Sequence, residues 1–312
     1  MERYLVTGGA GFIGSNICRR LVQQGAFVRV LDNLSTGKKS NLTDILNSIE
    51  FVEGDMGDEE TARRCMQGID IVLHQGALPS VPRSVEDPAA THRHCVDATF
   101  TLLLAARDAK VKRFVYAASS SAYGDSPTLP KIETMTPDPK SPYAAAKLFG
   151  EYYCSVFSKV FGLETISLRY FNVFGPYQNP KSQYAAAIPA FVTSILKDTP
   201  PTVYGDGEQS RDFTYIDNVV EANLLAARAP KTSGEVINIA CGQRITLNQV
   251  IRLINQIVGK NVQPTYAPPR AGDVRHSLAD IQKARELIGY QPIVSFEEGL
   301  RRAVSWYKEN LL

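Results

Sequence analysis

The sequence predicts an α/β fold, in which a doubly wound parallel sheet is followed by a smaller, mainly helical C-terminal domain. Over the first ~170 residues, short apolar segments rich in β-formers alternate with helical stretches, as in a parallel sheet with crossover helices. A glycine-rich turn joins the first such segment to the first helical stretch. Beyond Arg169 the pattern changes to loops rich in Pro, Gly and Asn between short helices.

The segments predicted as strands in the first half are short, apolar and bounded by Gly or polar residues. They are Arg3–Thr7, Phe27–Leu31, Phe51–Glu53, Ile69–Leu73, Phe114–Ala118 and Glu164–Arg169. In Phe12–Gln24 apolar residues recur at helical spacing, and Gly25 stands where a helix C-cap belongs. The other helices predicted here are Glu59–Met66, Ala90–Ala109 and Tyr143–Phe161.

The second half carries helical patterns and one further strand. The predicted helices are Ala185–Lys197, Asn218–Ala229, Leu247–Val258, Ile281–Ile288 and Phe296–Asn310. Glu235–Ala240 is strand-like and is expected to return to the large sheet. We therefore expect a larger domain of residues 1–171 with 212–240. Residues 172–211 and 241–312 would form the smaller domain, which caps the sheet edge where ligands bind.

Composition excludes several classes of protein. Of 312 residues, 34 are Lys or Arg and 32 are Asp or Glu, so no strong field attracts nucleic acid or acidic membranes. Five cysteines without a CxxC spacing argue against a disulfide framework or a structural zinc site and suit a reducing compartment. No apolar stretch approaches the ~20 residues of a membrane span, and the first residues lack a signal-peptide core. We expect a cytoplasmic enzyme.

The motif GGAGFIG follows the first predicted strand and opens the first helix. Its GxxGxxG spacing allows a tight turn, close approach to a pyrophosphate and close helix–strand packing, and the helix N-terminus favours phosphate. Asp32 ends the next strand, where a carboxylate accepts hydrogen bonds from ribose hydroxyls and repels a 2′-phosphate. Asn33 follows instead of Arg. The sequence thus predicts a Rossmann domain for NAD, with contacts from Gly8, Gly11, Phe12, Ile13, Gly14 and Asp32.

Two further strand ends extend this predicted crevice. Asp55 ends the strand in FVEGD, and Gln75, Gly76 and Ala77 follow the strand IVLH. Because the carboxyl ends of parallel strands share one edge of a sheet, these residues are expected beside the dinucleotide.

The run YAAAK places Tyr143 and Lys147 four residues apart, on one face of a helix. A nearby ammonium lowers the pKa of a phenol, and such a Tyr can remove a hydroxyl proton while hydride leaves the same carbon. Ser119 and Ser121 follow a predicted strand, and a hydroxyl there could hold the substrate oxygen and pass its proton to Tyr143. His92 and His94 point to nearly opposite helix faces, so no metal site is predicted.

These motifs together resemble the extended branch of the short-chain dehydrogenase/reductase superfamily, specifically UDP-hexose 4-epimerases. The resemblance runs nearly end to end, through GGAGFIG, DNLSTG, HQGAL, ASSSAYG, SPYAAAK, LRYFNVFGP, RDFTYIDN and AGDVRHS. Within that branch it is nearest to epimerases of UDP-N-acetylglucosamine and UDP-N-acetylgalactosamine, through SVPRS, RYFNVFG, YAAAIP and GDVRHS.

The resemblance implies a reaction in which Tyr143 removes the proton of the sugar 4-hydroxyl while the C4 hydride moves to NAD. The 4-keto sugar then turns over and takes the hydride back on its other face. Lys147 would bind the nicotinamide ribose, and Ser119 would be the catalytic Ser, assisted by Ser121. Ser120 would contact the cofactor or sugar. Ser120 and Ser121 stand where related dehydratases and decarboxylases carry acids, which argues against both of those reactions.

The resemblance also implies further binding residues. Those expected on the cofactor are Asn33, Ser35, Thr36, Gly37, Asp55, Met56, Phe171 and Val173. On the substrate side, Asn172 would contact the sugar and diphosphate, and the helix beginning near Tyr184 would offer amides at Ala186 and Ala187. Arg211 and Arg270 would bind the phosphates, and Asp273 would bind the uridine ribose. The strand that contains Thr202 and Tyr204 would flank the uracil.

Ser277 bears on the sugar. In the family, a bulky Tyr at the matching position crowds the 2-position of the sugar, whereas a small residue admits an N-acetyl group. Ser277 therefore implies room for both acetylated and plain UDP-hexoses, and Gln178 and Ala186 would contribute to binding the sugar. The chain departs from the family pattern at Cys95 and Ala98, where Asn and Gly are usual. It departs also at Gly76 and Pro79, in the loop expected over the sugar.

Two alternatives remain open at this point. The same fold could epimerise UDP-glucuronate, with Arg83 lending a positive charge to the 6-carboxylate. A non-catalytic NAD-binding module is the other alternative, although it has no need of the Tyr, Lys and Ser set. Apolar stripes on the helices Ala90–Ala109 and Tyr143–Phe161 fit a homodimer of the kind known in this branch, and they fit the chain's own core equally.

Overall fold

The computed structural model describes residues 2–180, 186–269 and 274–311. Its central sheet has seven parallel strands, which are β1 (Arg3–Thr7), β2 (Phe27–Asp32), β3 (Glu50–Glu53), β4 (Ile71–His74), β5 (Arg113–Ser119), β6 (Glu164–Tyr170) and β11 (Glu235–Ile239). Their order is β11-β6-β5-β4-β1-β2-β3. The doubly wound sheet is therefore confirmed, and the segment Glu235–Ala240 joins it by pairing with β6.

Helices cover both faces of the sheet. In the first half they are α1 (Phe12–Gln23), α2 (Glu59–Met66), α3 (Val81–Glu86), α4 (Pro88–His92), α5 (Ala98–Asp108) and α6 (Pro142–Phe161). In the second half they are α7 (Ala187–Leu196), α8 (Ile216–Arg228), α9 (Leu247–Val258), α10 (Gln282–Ile288) and α11 (Phe296–Leu311). Every residue of β4 is buried, which shows that the centre of the sheet is covered on both faces. None of the helices in the described part of the chain is long and apolar enough to cross a membrane.

The C-terminal region adds small sheets to its helices. Three pairs of short strands form them, namely β7 (Val173–Phe174) with β10 (Thr214–Tyr215), β8 (Thr202–Tyr204) with β13 (Thr265–Ala267), and β9 (Ser210–Arg211) with β12 (Ile245–Thr246). The prediction of a mainly helical region missed these pairs because strands of two or three residues leave no periodicity to recognise.

The predicted helix Ala90–Ala109 is interrupted. A π-helical turn over Arg93–Asp97 lies between α4 and α5, and it buries Cys95 at 1% exposure. The helix predicted from Ala185 begins at Ala187, and Ala185 lies outside the described residues. The short helix α3 was not predicted; its N-cap Ser80 accepts a hydrogen bond from the Arg83 amide.

The strand order reverses between β1 and β4. Both strands end at the same edge, with Thr7 opposite His74, while β2 continues the sheet on the other side of β1. Such a reversal leaves a crevice at the carboxyl ends, because the connections leave in opposite directions. The residues that follow β1, β2 and β4 therefore surround one opening.

Candidate active site

A cavity of about 860 Å³ opens at this edge of the sheet. Its walls come from the turn after β1, the loop after β2, the ends of β4 and β5, the first turns of α6 and the loop after β7. Of the predicted cofactor and catalytic residues, those that line it are Gly8, Gly11, Phe12, Ile13, Gly14, Asp32, Asn33, Ser35, Thr36, Gly37, Met56, Gln75, Gly76, Ala77, Tyr143, Lys147 and Val173.

The glycine turn fits a bound pyrophosphate. Gly8 has a φ of 65°, and a Cβ there would lie 2.7 Å from the Gly76 Cα. A Cβ at Gly14 would overlap the Gly8 carbonyl oxygen. Gly11 is the N-cap of α1, which no side chain of the described residues caps. The turn thus brings backbone and an open helix N-terminus to the cavity wall, where an anion is favoured.

Asp32 is fixed by the backbone around it. Its two oxygens accept hydrogen bonds from the amides of Ala10 (2.9 Å) and Leu34 (2.8 Å), and it is 8% exposed. Burial raises the pKa of this carboxyl group, and the two amide donors oppose that rise. A carboxylate held at the end of β2 suits ribose hydroxyls, which can donate hydrogen bonds to it. The donors and acceptors around the cavity therefore fit an NAD molecule.

Tyr143 and Lys147 lie in the first two turns of α6. Ser141 caps this helix by accepting a hydrogen bond from the Ala144 amide (3.1 Å), and Pro142 begins its first turn. These residues place the helix N-terminus beside the end of β5. Tyr143 is half-buried and Lys147 is buried, and both line the cavity on the same helix face, as the YAAAK spacing predicted.

The serines after β5 form a hydroxyl chain. The Ser121 hydroxyl donates to the Ser119 hydroxyl oxygen (2.8 Å), which also accepts from the Ser121 amide (3.2 Å). Burial raises the pKa of Tyr143 above its ordinary value, and a hydrogen bond with Ser119 opposes that rise. Ser120 is the first residue of the 3₁₀ turn that follows. The three hydroxyls of Tyr143, Ser119 and Ser121 thus belong to one network.

Lys147 is held deep in the fold. Its ammonium donates to the Ala117 carbonyl (2.8 Å) and lies 4.9 Å from the centre of the Tyr116 ring. Burial lowers the pKa of this ammonium. In this structure burial governs the pKa of Tyr143 and raises it, whereas the sequence led us to expect that Lys147 would lower it.

A buried ion pair supports the same helix. Arg169 on β6 donates to both carboxylate oxygens of Glu151 on α6, at 2.7 and 2.8 Å, and both side chains are at most 3% exposed. The guanidinium also lies 4.5 Å from the Tyr123 ring centre. A bidentate pair in this position fixes α6 against the sheet.

Two predicted cofactor residues, Phe171 and Asp55, and the predicted catalytic residue Ser119 lie outside the described cavity lining. Phe171 is 1% exposed in the core near Tyr123, because its amide continues the β6–β11 ladder to the Ile239 carbonyl and its side chain turns inward. Asp55 is exposed and closes its own turn by accepting from the Gly57 amide (2.8 Å). Ser119 is hydrogen-bonded to Tyr143, and Tyr143 lines the cavity.

On the substrate side, Gln178 and Ala186 line the cavity, and Ala187 begins α7 directly beside it. The Gln178 amide nitrogen donates to the Val173 carbonyl (3.1 Å), while its buried Oε1 has no donor among the described residues. Asn172 has a φ of 35° and donates to the Asp212 carbonyl (3.2 Å). Its amide therefore supports a neighbouring loop, and it is not part of the described lining.

Of the residues predicted for the uridine end and for the sugar 2-position, those that the structure describes lie apart from this lining. Arg211 donates to the carbonyls of Ser210 and Arg275, both at 3.0 Å, and the Ser277 amide donates to Ser210 (3.0 Å). Thr202 and Tyr204 lie on the neighbouring strand β8. The structure thus brings Arg211 and Ser277 together, while Arg270 and Asp273 lie outside the described residues.

Several lining residues were not assigned a ligand role from the sequence. They include Asn41, His94, Tyr177 and Trp306. Asn41 follows the predicted cofactor segment and could have been inferred from that position. Trp306 comes from the last helix, and no local pattern indicates its contact with this cavity. Within the described residues, no group of three or more His, Cys, Asp or Glu side chains is placed to hold a metal ion.

Comparison with known proteins gives consistent matches. Residues 4–240 match the model of the "NAD dependent epimerase/dehydratase family". A UDP-N-acetylglucosamine 4-epimerase from Methanobrevibacter ruminantium, solved with UDP-N-acetylmuramic acid, has a TM-score of 0.95 and 38% identity over 99% of this chain and 98% of its own. A UDP-glucose 4-epimerase from Thermotoga maritima, solved with UDP-glucose, has a TM-score of 0.94 and 39% identity. The match covers 99% of this chain and 100% of that protein. A UDP-glucuronate 4-epimerase from Thermodesulfobacterium geofontis is 34% identical over 100% of this chain and 98% of its own length.

Proposed function

Because this chain belongs to the NAD dependent epimerase/dehydratase family, we propose that it is an NAD-dependent 4-epimerase of UDP-sugars. The observation that carries the proposal is the hydroxyl network of Tyr143, Ser119 and Ser121 beside Lys147 at the cavity wall. Epimerisation requires one proton to leave and return at one oxygen, for which a single Tyr suffices. The turn Ser119–Ser121 holds only hydroxyls, so it offers no carboxylate for dehydration or decarboxylation.

In this proposal, Tyr143 removes the proton of the sugar 4-hydroxyl and returns it after the 4-keto sugar has turned over. Ser119 and Ser121 hold the reacting oxygen and pass the proton along their hydrogen bond. NAD supplies reversible oxidation at the sugar carbon when bound. The raised pKa of Tyr143 means that positive charge is needed to stabilise its phenolate, and Lys147 places an ammonium one helical turn away.

We propose acetylated UDP-hexoses as substrates, together with plain UDP-glucose and UDP-galactose. Gln178 supports this choice, because its buried Oε1 lies at the cavity without a donor among the described residues. An N-acetyl N–H or a sugar hydroxyl would satisfy that acceptor. Ala186 at the start of α7 leaves room beside it.

UDP-glucuronate is the second candidate, and Arg83 favours it. This guanidinium lines the cavity from α3, where it could receive a sugar carboxylate. Arg83→Gln should then reduce turnover of UDP-glucuronate while leaving UDP-glucose turnover within about twofold. Equal losses for both sugars would argue against a carboxylate-specific role.

We further propose the domain division and a homodimer. Residues 1–171 with 212–240 would hold NAD, and 172–211 with 241–312 would hold the UDP-sugar. On α6, Tyr152, Val156 and Val160 are spaced by four residues and are 58, 47 and 67% exposed. Such an apolar row on one helix face favours pairing with a second copy.

The proposal is tested by incubating the purified protein separately with UDP-N-acetylglucosamine, UDP-glucose and UDP-glucuronate. No NAD is added at first, and proton NMR follows the anomeric signals. We expect the galacto epimers of the first two sugars, and Tyr143→Phe should abolish them while retaining NAD. Epimerisation of UDP-glucuronate alone would favour the second candidate, and no epimer from any sugar with NAD present would refute the proposed reaction.

A further inference from the structure

The loop that follows β7 has an unusual backbone where it lines the cavity. Tyr177 in this loop has a φ of 69°, in the left-handed region that residues other than glycine seldom occupy. A residue held in this way persists where the surrounding structure determines its conformation, and such positions cluster at ligand sites. The contacts of the Tyr177 ring therefore require an explanation.

The Tyr177 ring contacts two side chains from distant elements. The Arg19 guanidinium of α1 is 3.9 Å from the ring centre. Trp306 of α11 lies 5.1 Å from it between ring centroids, at an interplanar angle of 52°. Both Tyr177 and Trp306 line the dinucleotide cavity. The three residues Arg19, Tyr177 and Trp306 are called the Tyr177 cluster below.

Arg19 connects this cluster to the loop after β2, which forms another part of the cavity wall. Its guanidinium donates to both oxygens of Asp44, at 2.7 and 2.6 Å, and to the Asn41 carbonyl. The Asn41 side chain in turn donates to the Ala10 carbonyl of the glycine turn (2.9 Å). The Arg19 side chain is 13% exposed, so its plane is fixed by these bonds. The ring of Tyr177 is thus bound to the loop after β2.

The loop itself is held from the other side. The Tyr307 hydroxyl of α11 donates to the Gln178 carbonyl (2.9 Å), and Asn16 of α1 donates to the Pro176 carbonyl (3.2 Å). The cluster therefore joins the loop after β2 to the loop after β7, and both loops contribute to the wall of the cavity. Separation of these two walls, which would release a bound dinucleotide, requires the contacts of the Tyr177 cluster to break.

We propose that Tyr177 is a cofactor-retention residue, whose ring joins the two walls of the dinucleotide cavity and slows the exchange of NAD. The inference rests on the NAD cofactor of the proposed function and is independent of which sugar is turned over. Tyr177 takes no part in proton transfer. Its effect is on the rate constant of cofactor release, because contacts between the walls must break before the cofactor leaves.

Two substitutions separate the ring from the backbone. Tyr177→Asn removes the ring but keeps a residue that tolerates the left-handed conformation, and Tyr177→Phe keeps the ring and removes the hydroxyl. Each protein is loaded with radiolabelled NAD, chased with excess unlabelled NAD, and desalted rapidly at intervals. Tyr177→Asn should release label about tenfold faster than the wild type, since one cation–π and one aromatic contact are lost. Tyr177→Phe should stay within about twofold of the wild type.

Trp306→Leu provides a second, independent variant and should also release label faster. Urea unfolding of the variants in the absence of NAD identifies any general loss of stability. Equal release rates in Tyr177→Asn and the wild type would overturn the proposal, as would a wild type that keeps no label. A protein that exchanges NAD as expected but epimerises no UDP-sugar would refute only the proposed reaction.

Discussion

His74 provides a test of stability against pH. This residue ends β4 beside the cofactor crevice and is fully buried. Its Nδ1 lies 2.7 Å from the Thr7 hydroxyl and its Nε2 lies 2.9 Å from the Thr99 hydroxyl. Since the Thr99 hydroxyl donates to the Cys95 carbonyl (2.7 Å), it accepts from the imidazole Nε2–H. The Thr7 hydroxyl then donates to Nδ1, and only a neutral ring satisfies this chain.

Protonation of His74 would place two hydrogens between Nδ1 and Thr7. Burial, with a smaller contribution from the charge of Lys147, lowers the pKa of His74 from 6.5 to about 3. The unfolded chain therefore binds a proton as the pH falls below about 6.5, while the folded protein does not. The stability contribution of the neutral ring is present above that pH. It is lost by about 1.4 kcal/mol per pH unit well below pH 6.5. The loss between pH 6.5 and 4.5 is about 2.3 kcal/mol, because half of the unfolded chains are already protonated at pH 6.5.

The perturbation is His74→Asn, whose side-chain oxygen can still accept from Thr7 but does not titrate. Asp212, whose pKa is raised by burial to about 6, titrates in the opposite sense, because its protonated form favours the folded state as the pH falls. The comparison is therefore between variant and wild type at each pH. Urea unfolding followed by the fluorescence of the single tryptophan gives the free energy of unfolding.

We expect His74→Asn to be less stable than the wild type at pH 7.5, and the difference to shrink by about 2 kcal/mol or more towards pH 4.5. His92→Asn is the control, because the side chain of His92 is 62% exposed and lies outside the core. If the wild type and His74→Asn lose stability in parallel over this range, the argument for a neutral buried ring is wrong.

Three further changes test the site and its support. Gly14→Ala should abolish NAD binding, since its methyl group would overlap the Gly8 carbonyl, and equilibrium dialysis with labelled NAD would detect any binding that remains. Glu151→Gln should destabilise the protein by about 3–5 kcal/mol, because it leaves the Arg169 charge buried without its partner; a urea midpoint close to that of the wild type would contradict this. Tyr143→Phe should lower turnover by at least about 10²-fold with NAD content unchanged, as followed by NMR, and a smaller loss would exclude Tyr143 as the main proton acceptor.

The sheet was predictable because its signals are local. Arg3–Thr7 is a strand with the bounds that its apolar run indicates, and Glu59–Met66 is a helix with the predicted bounds. The shared cavity of Gly8, Asp32 and Tyr143 followed from one geometric rule, that parallel strands end at one edge.

What the sequence did not reveal depends on contacts between distant segments. The π-helical turn at Arg93–Asp97 keeps nearly the periodicity of a continuous helix, so no pattern marks it. Phe171 was expected at the cavity, and only the continued ladder to Ile239 shows that its ring turns inward. The contact of Tyr177 with Trp306 joins a loop to a distant helix, and the two segments share no sequence motif.

The position of β11 at the sheet edge has a consequence for synthesis on the ribosome. β6 ends at Tyr170, but its outer neighbour begins only at Glu235. At about 5–20 residues per second, the hydrogen-bonding edge of β6 waits roughly 3–13 s for its partner to be made. An unpaired strand edge is a template for association with other chains. The nascent protein is therefore most vulnerable to aggregation during that interval, and a chaperone that shields β6 would act then.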